Sequence, residues 1–378
     1  MYLHIIDDTN QINSLIKRSN ELFGDGHVFY ILSKTNHVKN VIKAPNVFLI
    51  QTTSKNLKNL LAEIGDFKAV FIHNLCYTKA KIILKSPDNI PFVWVIWGFD
   101  YYNVYPELYK DLFLPWTKIA NAVLLKYSLA AKRMSYFLHP FTRIFRLNSH
   151  DRIKIQAAKK ISYTVNNMPR HSDVFKVIPS QIKKKFNGIY YSIDYFIEGI
   201  GDINKPLGVN IFVGNSATNS SNHIDVFFQL RKILPQSKKV IVSLGYGCIR
   251  YKKLVNISGK LILKNSFVPM NQYLPLPTYH KMLLDCNVMI FNQKRAQAIG
   301  NILFGVWAGH KIFLRKSNPV YYYLKDLGVA VFSIEDELDE KQLIGLESDV
   351  RIKNRRIIEK EYSEEHVRKN YLEILNSI

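Results

Sequence analysis

A run of small polar residues, Ile211–His223 (IFVGNSATNSSNH), holds the chain's densest set of groups able to grip an anion. A β-branched and aromatic run over Val209–Val213 leads into the turn Gly214-Asn215-Ser216, and a helical pattern follows from about Asn222 to Ile233. Strand, glycine turn and helix N-terminus together are how α/β domains hold phosphate, because free backbone N–H groups and the positive end of the helix face the anion. Gly214 lets a ligand approach the backbone, the hydroxyls of Ser216, Thr218, Ser220 and Ser221 can donate, and His223 can reach a phosphate or a sugar hydroxyl. The same residues also read as a capped helix after a turn. Neither a GxGxxG nor a Walker A pattern occurs, so this is not a standard dinucleotide or P-loop signature.

Two further bends share that setting. Phe291–Asn301 (FNQKRAQAIGN) follows a strand pattern at Val288–Asn292 and precedes an apolar helix at Ile302–Ala308. It puts Lys294 and Arg295 at the carboxyl end of a parallel strand, and Gln297, Gly300 and Asn301 at a helix start. Ligands in open α/β sheets bind at the carboxyl ends of strands, and a cation pair beside a helix N-terminus suits a leaving diphosphate. Ser243–Gly247 again follows a strand. Gly245 and Gly247 leave room for a base or ribose and Tyr246 can stack, although a plain tight turn explains a lone GxG equally. In the first half, two apolar strands end at His73-Asn74 and at Trp97-Gly98-Phe99-Asp100. Asp100 is the candidate general base for an acceptor hydroxyl, with His73 as second candidate. Trp97, Tyr101 and Tyr102 can stack on sugar rings. The alternatives are an N-cap for Asp100 and a satisfied, half-buried imidazole for His73.

The elements that must position these residues alternate regularly. Strand patterns fall at Tyr2–Ile6, His27–Leu32, Val47–Gln51, Ala69–His73 and Phe92–Trp97, then at Val209–Val213, Lys239–Leu244, Lys260–Leu263, Val288–Asn292, Lys311–Leu314 and Val329–Phe332. Strands separated by helical patterns imply βαβ units and parallel sheets. The two series predict two doubly wound α/β domains in 378 residues. The expected division is 1–203 and 204–350, with the break near Glu198–Gly208, the strongest mid-chain Gly/Pro cluster. A charged helical pattern from 351 to 378 is expected to pack across both.

Net charge is +22, which points to a polyanionic partner. The excess concentrates between Lys110 and Lys160, where eleven Lys/Arg face two acids, a net +9, while residues 331–378 carry −4. Apolar residues such as Leu112, Trp116, Leu124, Tyr136 and Phe137 interleave the basic block. That mixture suits a surface lying on anionic headgroups, or a solvated face over ordinary core. The longest apolar run, Ile90–Phe99, is too short to span a bilayer, and no signal peptide is expected. Cys76, Cys248 and Cys286 are too few and too widely spaced for a disulfide framework or a zinc site. No helix-turn-helix, RRM or zinc-finger pattern supports a nucleic-acid partner.

Together the segments resemble one family, the 4-acetamido-4,6-dideoxy-D-galactose (Fuc4NAc) transferases of enterobacterial common antigen synthesis. The matching stretches are IWGFD (Ile96–Asp100), VGNSATNSSNH (Val213–His223), GYG (Gly245–Gly247) and RAQAIGN (Arg295–Asn301). GHKIFLRKSNPVYYYLKDLG (Gly309–Gly328) has the character of the segment after them. Ser221, Ala296 and Phe99 stand where the family has Asn, Gln and a small residue. The resemblance implies a GT-B fold, two Rossmann-like domains facing across a cleft, and an inverting transfer with no metal or cofactor. It implies a dTDP-sugar donor and a polyprenyl-diphosphate-linked glycan acceptor at the cytoplasmic face of the bacterial inner membrane, with the protein peripheral. On this reading the second domain holds the donor through Gly214, Asn215, Ser216, Ser220, His223, Tyr246, Gly247, Arg295, Gln297, Gly300 and Asn301. The first supplies Asp100 or His73 as base and Trp97, Tyr101 and Tyr102 to the acceptor. A UDP-sugar transferase of the same architecture is the alternative.

Overall fold

The computed structural model of the chain describes residues 1–104, 111–130, 142–166, 182–187, 191–197, 200 and 207–378. Two compact units are distinguished. The first comprises Met1–Tyr109, Phe141–Ser192 and Glu364–Ile378; the second comprises Lys110–Pro140 and Ile193–Ser363.

The first unit is built on a seven-stranded parallel sheet: β1 (Tyr2–Ile6), β2 (His27–Ser33), β3 (Val47–Gln51), β4 (Ala69–His73), β5 (Phe92–Ile96), β6 (Tyr163–Asn166) and β7 (Lys184–Asn187). Their order is β3-β2-β1-β4-β5-β6-β7. Every residue of β4 and β5 is buried, as a parallel strand covered on both faces requires, so these strands read as unbroken apolar runs. The order reverses between β1 and β4, which makes their carboxyl ends the switch point where such sheets take ligands. Tyr371, Ile374 and Leu375 of helix Glu364–Ser377 complete this unit's core beside Ile16, Phe29 and Val95.

The second unit carries a six-stranded parallel sheet: β8 (Asn210–Val213), β9 (Val240–Ser243), β10 (Phe267–Met270), β11 (Cys286–Phe291), β12 (Lys311–Leu314) and β13 (Phe332–Ser333), in the order β10-β9-β8-β11-β12-β13. Here the reversal lies between β8 and β11, whose carboxyl ends lead into the bends at 214 and 292. Its core joins Ile211, Val213, Phe227, Val242, Tyr251, Ile290 and Phe313.

Three departures from the sequence reading have physical causes. Lys260–Leu263 is not a strand but the last turn of helix Ile249–Leu263, and the strand is Phe267–Met270. Gly259 decides this packing: a Cβ there would lie 2.3 Å from the Phe267 ring, so the bare helix surface admits the strand's aromatic. The segment after 110 belongs with the second unit. Asp225 caps helix Pro115–Ala130, accepting from the amides of Trp116 (2.9 Å) and Thr117 (3.0 Å) and from the Thr117 hydroxyl (2.6 Å). The terminal charged pattern is two helices, Ser348–Glu361 in the second unit and Glu364–Ser377 in the first.

The expected break at 198–208 falls largely outside the described residues, as do Lys110, Lys132, Arg133, Tyr136 and Phe137 of the basic block. Within the described part, Leu112 is core, while Trp116, Ile119 and Val123 are exposed along one face of helix Pro115–Ala130. No described helix is long and apolar enough to cross a membrane.

Candidate active site

The three bends of the second unit converge, and Gln297 ties them. Its Nε2 donates to Asn215 Oδ1 (2.8 Å), Thr218 Oγ1 (3.0 Å) and Ser221 Oγ (3.2 Å), and its Oε1 accepts from Ser220 Oγ (2.7 Å). Gln293 Nε2 adds a second donor to Asn215 Oδ1 at 3.3 Å. Asn215 Nδ2 in turn donates to the Tyr246 hydroxyl at 3.2 Å, bringing in the third bend. The backbone closes the same triangle: the Ala217 amide donates to the Tyr246 carbonyl (2.7 Å), and the Cys248 amide to the Ala217 carbonyl (2.9 Å). Gly247 is required for that approach, since a Cβ would lie 2.6 Å from the Ala217 oxygen and φ is +116°. The Tyr246 ring stays half exposed.

Asn222, which the sequence reading placed only at a helix start, is the second hub. Fully buried, with φ of +50°, it accepts from the Leu114 amide and donates to the carbonyls of Leu112, Ser220 and Asn292. Asn292 Oδ1 also accepts from Arg315 at 2.8 Å, and Arg315 pairs with Glu335 at 3.1 Å.

Several expected donor residues take different positions. His223 begins helix His223–Ile233 but is fully buried. Its Nδ1 meets the Tyr251 hydroxyl at 3.3 Å, and its Nε2 lies where a Gly214 side chain would sit, with no partner among the described residues. Burial lowers its pKa to about 3, so the ring is neutral at ordinary pH. Ser216 and Ser220 are buried and bonded within the network rather than turned outward. Gly300 packs under the Phe196 ring, and Asn301 Nδ2 donates to the Tyr279 hydroxyl at 2.7 Å. Both support the helix rather than meet the other bends. Arg295 is half-buried and bonds the Ala296 carbonyl.

In the first unit the expected base is committed elsewhere. Asp100 is buried at the start of helix Phe99–Val104. Its Oδ2 accepts from the Leu75 amide (3.0 Å) and Trp94 Nε1 (2.8 Å), and its Oδ1 from the Trp97 amide (3.0 Å). Burial raises its pKa against those donors. This carboxylate ties two strand ends to the helix; it lies inside that helix rather than at its N-cap. His73 is also fully buried, in an imidazole chain: His73 Nε2 to His4 Nδ1 (3.0 Å), and His4 Nε2 to His27 Nδ1 (2.9 Å). Tyr101 and Tyr102 are core residues, because the helix turns them inward, and Phe99 is the exposed aromatic of that turn. Trp97 is half-buried against the core.

Comparison with known proteins bears on the second unit most directly. Residues 195–370 match the family described as 4-alpha-L-fucosyltransferase, glycosyl transferase group 56, the family the motifs resemble. Over that stretch, less than half of the chain, the sequence is similar to group 56 glycosyltransferases. Solved structures similar over the whole chain include Anabaena HepE in complex with UDP and glucose (12% identity, TM-score 0.63, 100% of both chains covered). An α,α-trehalose 6-phosphate synthase from Burkholderia multivorans is 8% identical, with TM-score 0.62 over 100% of this chain and 98% of that one. A glycosyltransferase from Rickettsia africae is 11% identical, with TM-score 0.58 over 100% and 97%. At such identities the likeness establishes the fold alone: two Rossmann-like domains of the GT-B architecture.

Proposed function

We propose that the protein is an inverting, metal-independent glycosyltransferase that moves a Fuc4NAc-like 4-acetamido-4,6-dideoxyhexose from a dTDP-sugar to a polyprenyl-diphosphate-linked glycan in bacterial surface polysaccharide synthesis. The observation that carries this reading is the closure of three strand-end bends around Gln297, within the stretch that matches group 56. With the bend's hydroxyls bonded internally, and the Gly214 and His223 amides given to the Ile290 carbonyl and the Tyr251 hydroxyl, the backbone amides of Asn215 and Ser216 and the next turn of helix His223–Ile233 are the groups left to face a diphosphate,. Lys294 and Arg295 add positive charge at the neighbouring bend. Fixed dipoles and cations of this kind stabilise the charge that develops on a departing nucleoside diphosphate. Tyr246, half exposed and held by Asn215, is the surface offered to the base.

The +9 block and the exposed Trp116, Ile119 and Val123 support peripheral association with the anionic cytoplasmic face of the inner membrane,. HepE is described with UDP, so a UDP-sugar is the competing donor. Calorimetric titration with dTDP and with UDP tests the donor class, and transfer from dTDP-Fuc4NAc to a lipid-linked disaccharide tests the reaction. Tighter dTDP binding and a product of inverted anomeric configuration are expected. Preference for UDP reassigns the donor, and binding of neither nucleotide overturns the reading.

A further inference from the structure

Asp7 and Asp8 follow β1, and the fold uses them differently. Asp8 caps a loop, its carboxylate accepting from the amides of Lys39 (2.8 Å), Asn40 (2.9 Å) and Val41 (3.2 Å). Burial works to raise its carboxyl, but the three amides together, with the Lys39 charge, hold it below the usual range. Asp7 has a half-open environment instead, its side chain 42% exposed. One oxygen, Oδ2, accepts from Lys79 Nζ at 2.9 Å and from Asn74 Nδ2. The other, Oδ1, has no partner among the described residues. Both donors are buried: Lys79 is 0% exposed and also bonds the His73 carbonyl at 2.6 Å, and Asn74 keeps a left-handed φ of 55°.

Position adds to geometry. Asp7 directly follows β1 and Asn74 directly follows β4, the two neighbours at which the sheet order reverses. The bond between these residues therefore spans the switch point of the first unit, where open α/β sheets take ligands. Asp100 and His73, by contrast, are enclosed. A carboxylate oriented through one oxygen by two buried donors, with its second oxygen open at that edge, is arranged to accept a proton.

We propose that Asp7 is the general base of the transfer, an assignment that rests on the glycosyl-transfer reading above. Oδ1 takes the proton of the acceptor hydroxyl. The hydroxyl oxygen's electron pair forms the new bond to the anomeric carbon, and the bond from that carbon to the β-phosphate oxygen breaks, its electron pair leaving with the nucleoside diphosphate. Lys79 and Asn74 are positioning residues, holding Oδ2 so that Oδ1 stays open.

The test measures transfer to the lipid-linked acceptor, donor binding by calorimetry and thermal unfolding on the full chain. Asp7→Asn keeps an oxygen for Lys79 and removes the base, so kcat is expected to fall by about a hundredfold or more while the donor Kd stays within twofold. Asp7→Ala leaves the buried Lys79 without its carboxylate and is expected to melt at a lower temperature,, yet its folded fraction is expected to regain at least tenfold in rate with added formate. The double variant Asp7→Asn, Lys79→Met removes the buried cation together with its partner and is expected to show the same loss. A folded Asp7→Asn or double variant that keeps more than a tenth of wild-type kcat overturns the assignment, and so does a loss that formate leaves untouched and that follows the melting temperature. Wild-type chain that neither binds a nucleoside diphosphate nor transfers a sugar speaks against the glycosyl-transfer reading itself, whereas active wild type with equally active Asp7→Asn removes Asp7 alone.

Discussion

Gln297 offers the sharpest separation between a bend that is merely well packed and a bend that receives a diphosphate. Replacing it with methionine keeps the volume of a nearly buried side chain and deletes the amide. Thr218 and Ser221 still bond each other at 3.2 Å, and Asn215 Oδ1 keeps Gln293. Ser220 loses its acceptor inside the fold. One buried group left unsatisfied costs about 1–3 kcal/mol, which for a unit of this size is a drop of about 2–12 °C in melting temperature. Gln297→Glu acts on a different quantity. The hydroxyls of Ser220, Thr218 and Ser221 can all turn to donate to a carboxylate, so stability changes less, but a negative charge now sits at the junction of the bends. At about 6 Å from a phosphate charge, with an effective dielectric near 20, that repulsion is about 2.8 kcal/mol, or about a hundredfold in donor affinity.

The assay pairs thermal unfolding with calorimetric titration by the nucleoside diphosphate that the wild type prefers. The expected pattern is crossed: the methionine variant is less stable, and the glutamate variant is stable but binds about a hundredfold more weakly. A glutamate variant that binds within threefold of wild type would place the diphosphate away from this junction and refute the site.

Gly214→Ala puts a Cβ 2.5 Å from His223 Nε2 on a backbone of φ +72°; the left-handed conformation alone costs about 1–2 kcal/mol, so lower stability and weaker donor binding are expected together, and an unchanged melting temperature in denaturation scans would contradict the packing. Asp100→Asn removes acceptors from buried amides and the Trp94 indole, and is expected to lower stability by at least about 2 kcal/mol while the folded fraction keeps kcat within a few-fold; loss of kcat at full stability would return Asp100 to the chemistry. Burial lowers the imidazoles of His4 and His73, and brings those of His27, His280 and His310 to about 4 and that of His223 to about 3, all from 6.5. A depressed folded pKa means stability is complete above the unfolded value and is lost as pH falls from about 6.5 towards 4. At pH 5 each of the four imidazoles brought to about 3–4 costs about 2 kcal/mol,; urea midpoints should therefore drop steeply between pH 7 and pH 5, and a flat profile would show these rings to be solvated.

What the sequence discloses is which residue types stand at a strand's end; which atom faces outward is settled by partners far along the chain. Most strand positions were legible because buried parallel strands are continuous apolar runs, and the bends at 214, 245 and 294 were legible because each follows such a run. The polar strands β6 and β7 (Tyr163–Asn166 and Lys184–Asn187) carry no such signal, and the misassigned Lys260–Leu263 shows that a four-residue apolar stretch does not distinguish a strand from a helix end. At the sites the limit is of another kind. Asp100 and Asp7 both follow apolar strands, and nothing local separates them. Leu75 and Trp94 enclose the first, while Lys79, 72 residues downstream, claims one oxygen of the second and leaves the other open. Tyr101 and Tyr102 look like sugar platforms until the helix phase turns both inward. Gln297 is expected at the site from sequence, but that its amide binds Ser220, Ser221, Thr218 and Asn215, about 80 residues earlier, is visible only in the fold,. A side chain's chemistry in this fold is thus set by which of its lone pairs and protons the tertiary network has already used, and the residues left with one unused at a switch point are where catalysis has to be sought.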